Sequence, residues 1–178
     1  ELPTAGGDIG FRTLAGGNGN EFWAVWMNHQ ANNHTTLLLQ AFDSNGVCLW
    51  PNAVRVNDTA GSVDQKLPGV AAIADGSTGI VWQDWRSGIP QLYAQRLDAT
   101  GQHLWSNQIL VNYHPYTGTT PLAPDVVAAG NDLVVAWSDA RTGVARVYLQ
   151  RFDAAGNRLW TTDQPASRTQ NATVMQIN

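Results

Sequence analysis

The sequence has a single cysteine, Cys48, among its 178 residues. A disulfide framework is therefore excluded, and so is a metal site built from several cysteine thiolates. Because Cys48 lies two residues before Trp50 in a strand-like run, we interpret it as a buried structural thiol.

Charge is also scarce, since Asp, Glu, Lys and Arg make up 13% of the chain and the net charge is −4. Such a balance excludes nucleic acid and anionic membrane surfaces as electrostatic partners. No apolar run approaches the ~18 residues of a membrane-spanning helix, so we expect no membrane span.

The polar residues are mainly Asn, Gln, Ser and Thr, which is typical of extracellular β proteins, and we expect an extracellular or cell-surface location. The chain begins at Glu1 without an initiator Met or a signal peptide, as a mature form or an excised piece does.

Motifs of nucleophilic and phosphate chemistry are missing from the sequence. It has no Gly-x-Ser-x-Gly element, no Cys–His pairing and no phosphate-binding loop. We therefore expect no enzyme and no cofactor. Paired carboxylates for glycoside hydrolysis stay open, because the separation of two acids in space is not visible in a sequence.

Internal repetition is the dominant positive signal. Segments 40–50, 95–105 and 150–160 share Gln, Asp, Gly and Leu-Trp positions at a spacing of 55 residues. A spacing kept by several residue types indicates tandem copies of one structural unit.

Each copy contains an Asp-x-x-Gly element that predicts a tight hairpin. Asp at the first turn position accepts hydrogen bonds from turn amides, and Gly at the fourth takes a positive φ. We interpret Asp43, Asp98 and Asp153 as turn residues, and the following Leu-Trp as a ring inserted into the core between units.

Each unit also predicts four short strands, because runs of Val, Ile, Trp, Tyr and Leu are interrupted by Gly, Pro and Asn-Gly-type turns. The units lie at about 8–57, 66–112 and 122–178 of one repeat domain, 1–178. The third unit is longer after its Trp, and we expect an insertion at 161–172 there.

The second strands, at 80–82 and 134–137, are apolar on both faces, which predicts stacked sheets. The predicted fold class is all-β, with three four-stranded antiparallel blades of β-propeller type. Closed propellers have about four to eight blades. A β-trefoil or β-prism with three-fold pseudo-symmetry therefore stays open as the alternative.

Units two and three share a longer pattern, Trp-x-Asp-x-Arg-x-Gly at 82–88 and 137–143, followed by Tyr-x-Gln-Arg-x-Asp-x-x-Gly. This pattern resembles the tandem repeats of large secreted or surface proteins of bacteria, which are propeller-like and mostly lack an assigned activity. The resemblance covers nearly the whole chain and implies a repeat architecture. Unit one departs from it, with Asn28 and Gln30 in place of Asp and Arg.

Candidate binding residues come from these patterns and from the loops in which the copies differ. Two Asp/Arg pairs form either a ligand-binding rim or salt bridges between blades. An unrepeated Trp could stack on a sugar or a partner. Two His and two Tyr lie in unrepeated loops, where a repeat scaffold carries its function. These residues are Asp84, Arg86, Asp139, Arg141, Trp85, His29, His34, Tyr113 and Tyr116. No third metal ligand accompanies the His pair, so we expect no metal site.

The function predicted from the sequence is that of a non-catalytic extracellular repeat module for binding, adhesion or structural spacing at a cell surface. Its partner would be a protein or glycan, or a further copy meeting the open blade faces. A lectin-like carbohydrate-binding domain is one alternative. A fragment of a glycosidase-type propeller is another.

Overall fold

A computed structural model describes residues 9–17, 19–29, 35–57, 64–112 and 121–166. Within these ranges the chain forms twelve strands and no helix, so no described helix could cross a membrane. The first sheet contains β1 (Ile9–Gly16), β2 (Phe22–His29), β3 (Thr35–Phe42) and β4 (Val54–Arg55). The second contains β5 (Gln65–Ala72), β6 (Thr78–Asp84), β7 (Gln91–Leu97) and β8 (Ile109–Leu110). The third contains β9 (Leu122–Ala129), β10 (Asp132–Asp139), β11 (Arg146–Phe152) and β12 (Gln164–Pro165).

Each sheet is antiparallel and follows chain order, so each repeat folds as one blade. The first strands β1, β5 and β9 lie side by side, and the blades stack face to face. This arrangement confirms the predicted propeller-type blades, and the trefoil or prism alternative is wrong. The exact unit boundaries stay a prediction.

The Asp-x-x-Gly hairpins form as predicted. In the first blade, Oδ1 of Asp43 accepts hydrogen bonds from the N–H groups of Asn45 and Val47, at 2.9 and 2.8 Å. The turn glycine Gly46 has φ +78°, a conformation in which an L side chain is strained. These hydrogen bonds, led by the one from Val47, lower the pKa of the Asp43 carboxyl.

In the described part of the predicted insertion at 161–172, which is residues 161–166, the chain follows the same course as the other two blades. Strand β12 begins four residues after Trp160, as β4 and β8 do after Trp50 and Trp105. The third blade therefore has the same outer edge as the other two. Residues 167–178 lie outside the described ranges.

Two apolar layers hold the blades together. Between the first and second blades, Trp23, Val25 and Leu39 pack against Ile80 and Trp82. Between the second and third blades, the packed residues are Ala71, Val81, Leu92, Ala94, Leu133, Val135, Trp137 and Tyr148. Complete burial of a large apolar side chain contributes about 1.5–3 kcal/mol, so these layers are the main stabilising feature.

The second strands do not all have the same surroundings. Every residue of β6 is buried, as the sequence predicts. In β10, buried and half-buried residues alternate, so the prediction of two covered faces is wrong for the third blade. The reason is that its outer face has no blade packed against it among the described residues.

The free thiol of Cys48 is exposed, and its interpretation as a buried structural residue is wrong. Cys48 pairs with Phe42 through an isolated bridge at the edge of the first blade. The residue at the same position of the second blade, His103, is exposed as well, so exposure belongs to this position after the turn.

Candidate functional site

One end of each blade collects most of the predicted site residues, and we name it the loop end. It is the end at which the second strand of a blade leads to the third, as β6 leads to β7 after Asp84. The first strands begin at the same end, since Gln65 of β5 pairs with Asp84. The Asp-x-x-Gly turns lie at the opposite end.

A set of polar contacts locks the loop end of the second blade. The indole Nε1 of Trp82 donates to Oδ2 of Asp84 at 3.1 Å. Arg86 donates to the same carboxylate from Nε at 3.0 Å and from Nη2 at 2.7 Å, and its guanidinium lies 3.9 Å from the ring centroid of Tyr93. Because the Asp84 side chain is completely buried, this two-pronged pairing is what stabilises its charge.

The third blade repeats the lock. Trp137 Nε1 donates to Asp139 Oδ2 at 3.1 Å, Arg141 Nε donates to Asp139 Oδ1 at 2.9 Å, and the Arg141 guanidinium lies 4.1 Å from the centroid of Tyr148. Arg141 Nη1 also donates to Asp163 Oδ2 at 2.8 Å. Burial raises the pKa of the Asp139 carboxyl, but the hydrogen bonds from Arg141 and Trp137 outweigh it and hold the pKa below its usual range.

Both Asp/Arg pairs join residues of one blade, so the interpretation as salt bridges between blades is wrong. Each carboxylate is already bonded to its Arg, and the pair fixes the backbone of the loop. A ligand-binding role for the four residues stays a prediction. The first blade has buried Asn28 in the equivalent place and lacks the lock.

Trp85 lies between Asp84 and Arg86, the two residues that are bonded to each other. Its N–H donates to the carbonyl of Asp64 at 3.1 Å. The Lys66 ammonium lies 5.1 Å from the Trp85 ring centroid and 2.7 Å from Oδ2 of Asp64. Trp85, Lys66 and Asp64 therefore form one partly exposed cluster, which we name the Trp85 cluster. It lies at the start of β5, one of the three first strands β1, β5 and β9, which lie side by side and which we call the inner strands.

Lys66 and Asp64 are not among the residues that the sequence singled out. Lys66 is the single Lys of the chain, but that alone does not mark it as a site residue. The sequence separates Trp85 from Lys66 by almost the whole of two strands, and the pairing of Lys66 with Gln83 is what brings them together.

The inner strands carry unusual backbone at the loop end. Leu67 has φ +52° and Ala123 has φ +45°, and each precedes a proline. A register shift occurs in β5 between Lys66 and Gly69. Left-handed backbone at non-glycine residues is uncommon and tends to gather at functional sites, so these positions strengthen the loop end as the candidate site.

His29 ends β2 at the same end of the first blade and is half-buried. An added Cβ at Gly10 would meet its Nε2 at 2.8 Å, so the ring lies against the backbone of the inner strand. The other predicted loop residues, His34, Tyr113 and Tyr116, lie outside the described ranges. In the part of the chain that the structure describes, no group of three His, Cys, Asp or Glu could hold a metal ion.

Comparison with solved structures places the blades in a known architecture. A thermostable family-43 glycoside hydrolase has a TM-score of 0.59 at 13% identity, covering 91% of this chain and 55% of that one. The endo-arabinase from Bacteroides thetaiotaomicron has a TM-score of 0.57 at 16% identity, covering 92% and 63%. The α-L-arabinanase from Penicillium chrysogenum, complexed with arabinobiose, has a TM-score of 0.53 at 13% identity, covering 78% and 45%.

The first two of these are five-bladed propellers, and this chain spans between half and two thirds of their length, as three blades of five would. At such low identity the likeness shows the fold. No protein-family model matches the sequence, and no curated protein matches it either.

These neighbours correct the function predicted from the sequence. A non-catalytic module for adhesion or spacing is the wrong main interpretation, because the matching structures are glycoside hydrolases. They favour the alternative of a glycosidase-type propeller fragment. The expectation of no enzyme also loses its support, since this fold carries catalysis in the neighbours.

Proposed function

We propose that this chain supplies three blades of a carbohydrate-active propeller of glycosidase type, and that the Trp85 cluster contacts the sugar chain. The observation that carries the proposal is the blade arrangement shared with glycoside hydrolases, together with an aromatic ring, a cation and a carboxylate at the start of an inner strand. A glycan outside the cell is the partner in this proposal.

The chemistry of the Trp85 cluster suits a sugar. A pyranose or furanose presents C–H groups on one face, which pack on an indole ring, and hydroxyl groups at its edge, which exchange hydrogen bonds with ammonium and carboxylate groups. Lys66 and Asp64, paired at 2.7 Å, are 42% and 37% exposed, so their charged groups are accessible to such hydroxyls.

The backbone of Trp85 is also held in place before any ligand arrives. Arg86 donates to Asp84 on either side of Trp85, and the Trp85 N–H is bonded to Asp64. Because the backbone at Trp85 is already fixed, binding does not have to order the loop, so the lock contributes to affinity without touching the ligand.

Glycoside hydrolysis needs two carboxyl groups flanking the scissile bond. Most described carboxylates are bonded to Arg or to turn amides. Two that lie on or just before the inner strands, Asp64 and Asp125, are not paired with Arg, and Asp125 is exposed on β9. We propose them as the first carboxylates to test.

The binding test is calorimetric titration of the chain with arabino-oligosaccharides and a panel of other oligosaccharides. We expect Trp85→Ala to weaken binding by at least about tenfold, because loss of a central aromatic contact at an interface costs about 2 kcal/mol or more of binding free energy. Leu104→Ala is the control, because Leu104 is an exposed apolar side chain beside the Asp-x-x-Gly turn of the same blade, at the end opposite the Trp85 cluster. Unchanged affinity in Trp85→Ala, or no binding to any sugar, would contradict the proposal.

The catalytic part is tested separately by a reducing-sugar assay on any oligosaccharide that binds. Loss of product formation in Asp64→Asn or Asp125→Asn, with binding retained, would support a hydrolytic role for that carboxyl. Binding without hydrolysis by the unaltered chain would contradict it.

A further inference from the structure

The chain enters the second blade at the loop end, and a side chain of the first blade holds it there. Oγ1 of Thr35 accepts a hydrogen bond from the N–H of Gln65 at 2.6 Å and donates to the carbonyl of the same residue at 2.8 Å. Thr35 and Gln65 are 2% and 0% exposed, so water does not take the place of either bond. This contact, which we name the Thr35 clamp, fixes the start of β5 to the first blade.

The junction between the second and third blades has a related contact. Nε2 of Gln83 donates to the carbonyl of Pro121 at 2.6 Å. Pro121 has the same place as Gln65, because each lies three residues before a proline of an inner strand, Pro124 or Pro68. Pro121 has no N–H, so a side chain can bond only to its carbonyl. The clamp on both backbone groups therefore belongs to the junction at which the Trp85 cluster lies.

A bend in the inner strand follows each of these contacts. Leu67, with φ +52°, lies two residues after Gln65, and Ala123, with φ +45°, lies two residues after Pro121. Left-handed backbone at residues other than glycine persists only where the surrounding structure over-determines it. The side chain from the preceding blade supplies such a restraint from outside the strand.

The Thr35 clamp acts on the segment that carries both charges of the Trp85 cluster. Gln65 lies between Asp64 and Lys66, whose side chains project from the same side of the strand and are paired at 2.7 Å. The carbonyl of Asp64 also accepts the Trp85 N–H at 3.1 Å, and the Lys66 ammonium lies 5.1 Å from the centroid of the Trp85 ring. A shift of the Gln65 backbone would therefore displace the cation and the carboxylate relative to the ring.

We propose that Thr35 is a positioning residue of the Trp85 cluster. Its hydroxyl fixes the start of β5, so the ring, the ammonium and the carboxylate take their places only when the first blade is docked on the second. The site thus belongs to a junction of two blades, although no side chain of the first blade is a member of the cluster. The effect on sugar affinity rests on the proposed function, whereas the effect on the cluster itself does not.

NMR of the Lys66 side chain tests the positioning without any ligand. Lys66 is the single Lys of the chain, so incorporation of ¹³C-labelled lysine gives one set of signals. Protons over the face of an aromatic ring resonate upfield, and we expect an upfield shift that Trp85→Ala abolishes. Thr35→Val removes the hydroxyl and keeps the side-chain shape, so most of the shift should be lost. Thr35→Ser keeps the hydroxyl and should retain the shift.

The matched control is Thr36→Val, the same substitution at the neighbouring buried residue. The Thr36 hydroxyl donates to the carbonyl of Asn28, within its own blade, at 3.4 Å. The Lys66 signals should stay in place in this variant. Unchanged Lys66 signals in Thr35→Val would overturn the inference. So would a Gln65 amide that exchanges with solvent in the unaltered chain as fast as in an unfolded peptide, a measurement that does not require any variant to fold.

Titration with the oligosaccharide that binds the unaltered chain measures the effect on affinity. We expect Thr35→Val to weaken binding by about tenfold, the order of a lost partner for a buried polar group, and Thr35→Ser to restore it. If no sugar binds the unaltered chain, the proposed function fails, and the Lys66 signals still decide the positioning. Shifted Lys66 signals with unchanged affinity would support the clamp and contradict the Trp85 cluster as the sugar contact.

Discussion

The second and third blades share most of their motif residues, yet they differ in what covers them. Leu92 of the second blade is completely buried, whereas Val147, at the same repeat position in the third, is 45% exposed. In the second blade both faces of β6 are covered, whereas in the third β10 is covered on one face. The comparison shows that in a repeat protein burial depends on the neighbouring blade, and the residue pattern within a blade does not determine it.

The largest expected effect tests this difference in burial. Leu92→Ala should cost about 2–5 kcal/mol in the free energy of unfolding, because it leaves a cavity between two blades. Val147→Ala should cost less than about 1 kcal/mol, since much of that side chain is exposed. Urea unfolding followed by Trp fluorescence measures both. Equal costs would mean that the two faces are equally covered in solution.

A smaller effect concerns the lock of the third blade. Asp139→Asn should cost roughly 1–3 kcal/mol at pH 7, because Arg141 loses its charged partner in a buried setting. The pKa of Asp139 is lower in the folded chain than in the unfolded one, so its contribution is present above pH ~4 and is lost as the pH falls through the folded pKa.

The contribution of the Asp139 carboxylate is measured from the acid side of a curve of unfolding free energy against pH. The unaltered chain should lose stability below pH ~4 more steeply than Asp139→Asn. Asp132→Asn is a control, because its partner Arg151 is 40% exposed, and its cost should stay below about 1 kcal/mol. A variant at position 139 with an unchanged acid limb would show that the lock contributes nothing.

The smallest effect isolates the contact of a ring with a turn. Gly46 and Gly101 have φ of +78° and +85°, so an added Cβ strains either turn by about 1–2 kcal/mol. Gly101→Ala should cost more than Gly46→Ala, because its Cβ also meets Val54. The difference between the melting temperatures of the two variants measures the contact between blades. Identical shifts would contradict the packing described for the second blade.

The local part of the fold was predictable from the sequence. The three hairpins and the four strands of each blade follow from Asp-x-x-Gly turns and β-branched runs, whose hydrogen bonds join near neighbours in the chain. Asp84 and Arg86 were predictable as a pair for the same reason, since only one residue separates them. Trp85 was found because the copies differ there, but its companion Lys66 was not.

Three features differ from the sequence prediction, each for its own reason. The strand β10 is covered on one face, because coverage depends on the adjacent blade and the local residue pattern does not encode it. Cys48 is exposed, as is His103 at the same position of the second blade, because this position after the turn joins the sheet only through an isolated bridge. The strand β12 lies within the segment predicted as an insertion, because the outer strand follows Trp160 at the same spacing as in the other two blades.

The sequence by itself determined the period, the turns and the antiparallel blades of this protein, because each depends on hydrogen bonds and steric limits within one repeat. Only the tertiary structure decided which faces are covered, which pairs lock a loop, and that Trp85 meets Lys66 and Asp64 at the loop end. The physical reason is that burial and ring contacts join surfaces from different strands and blades. Identical residues therefore have different surroundings in each of the three copies.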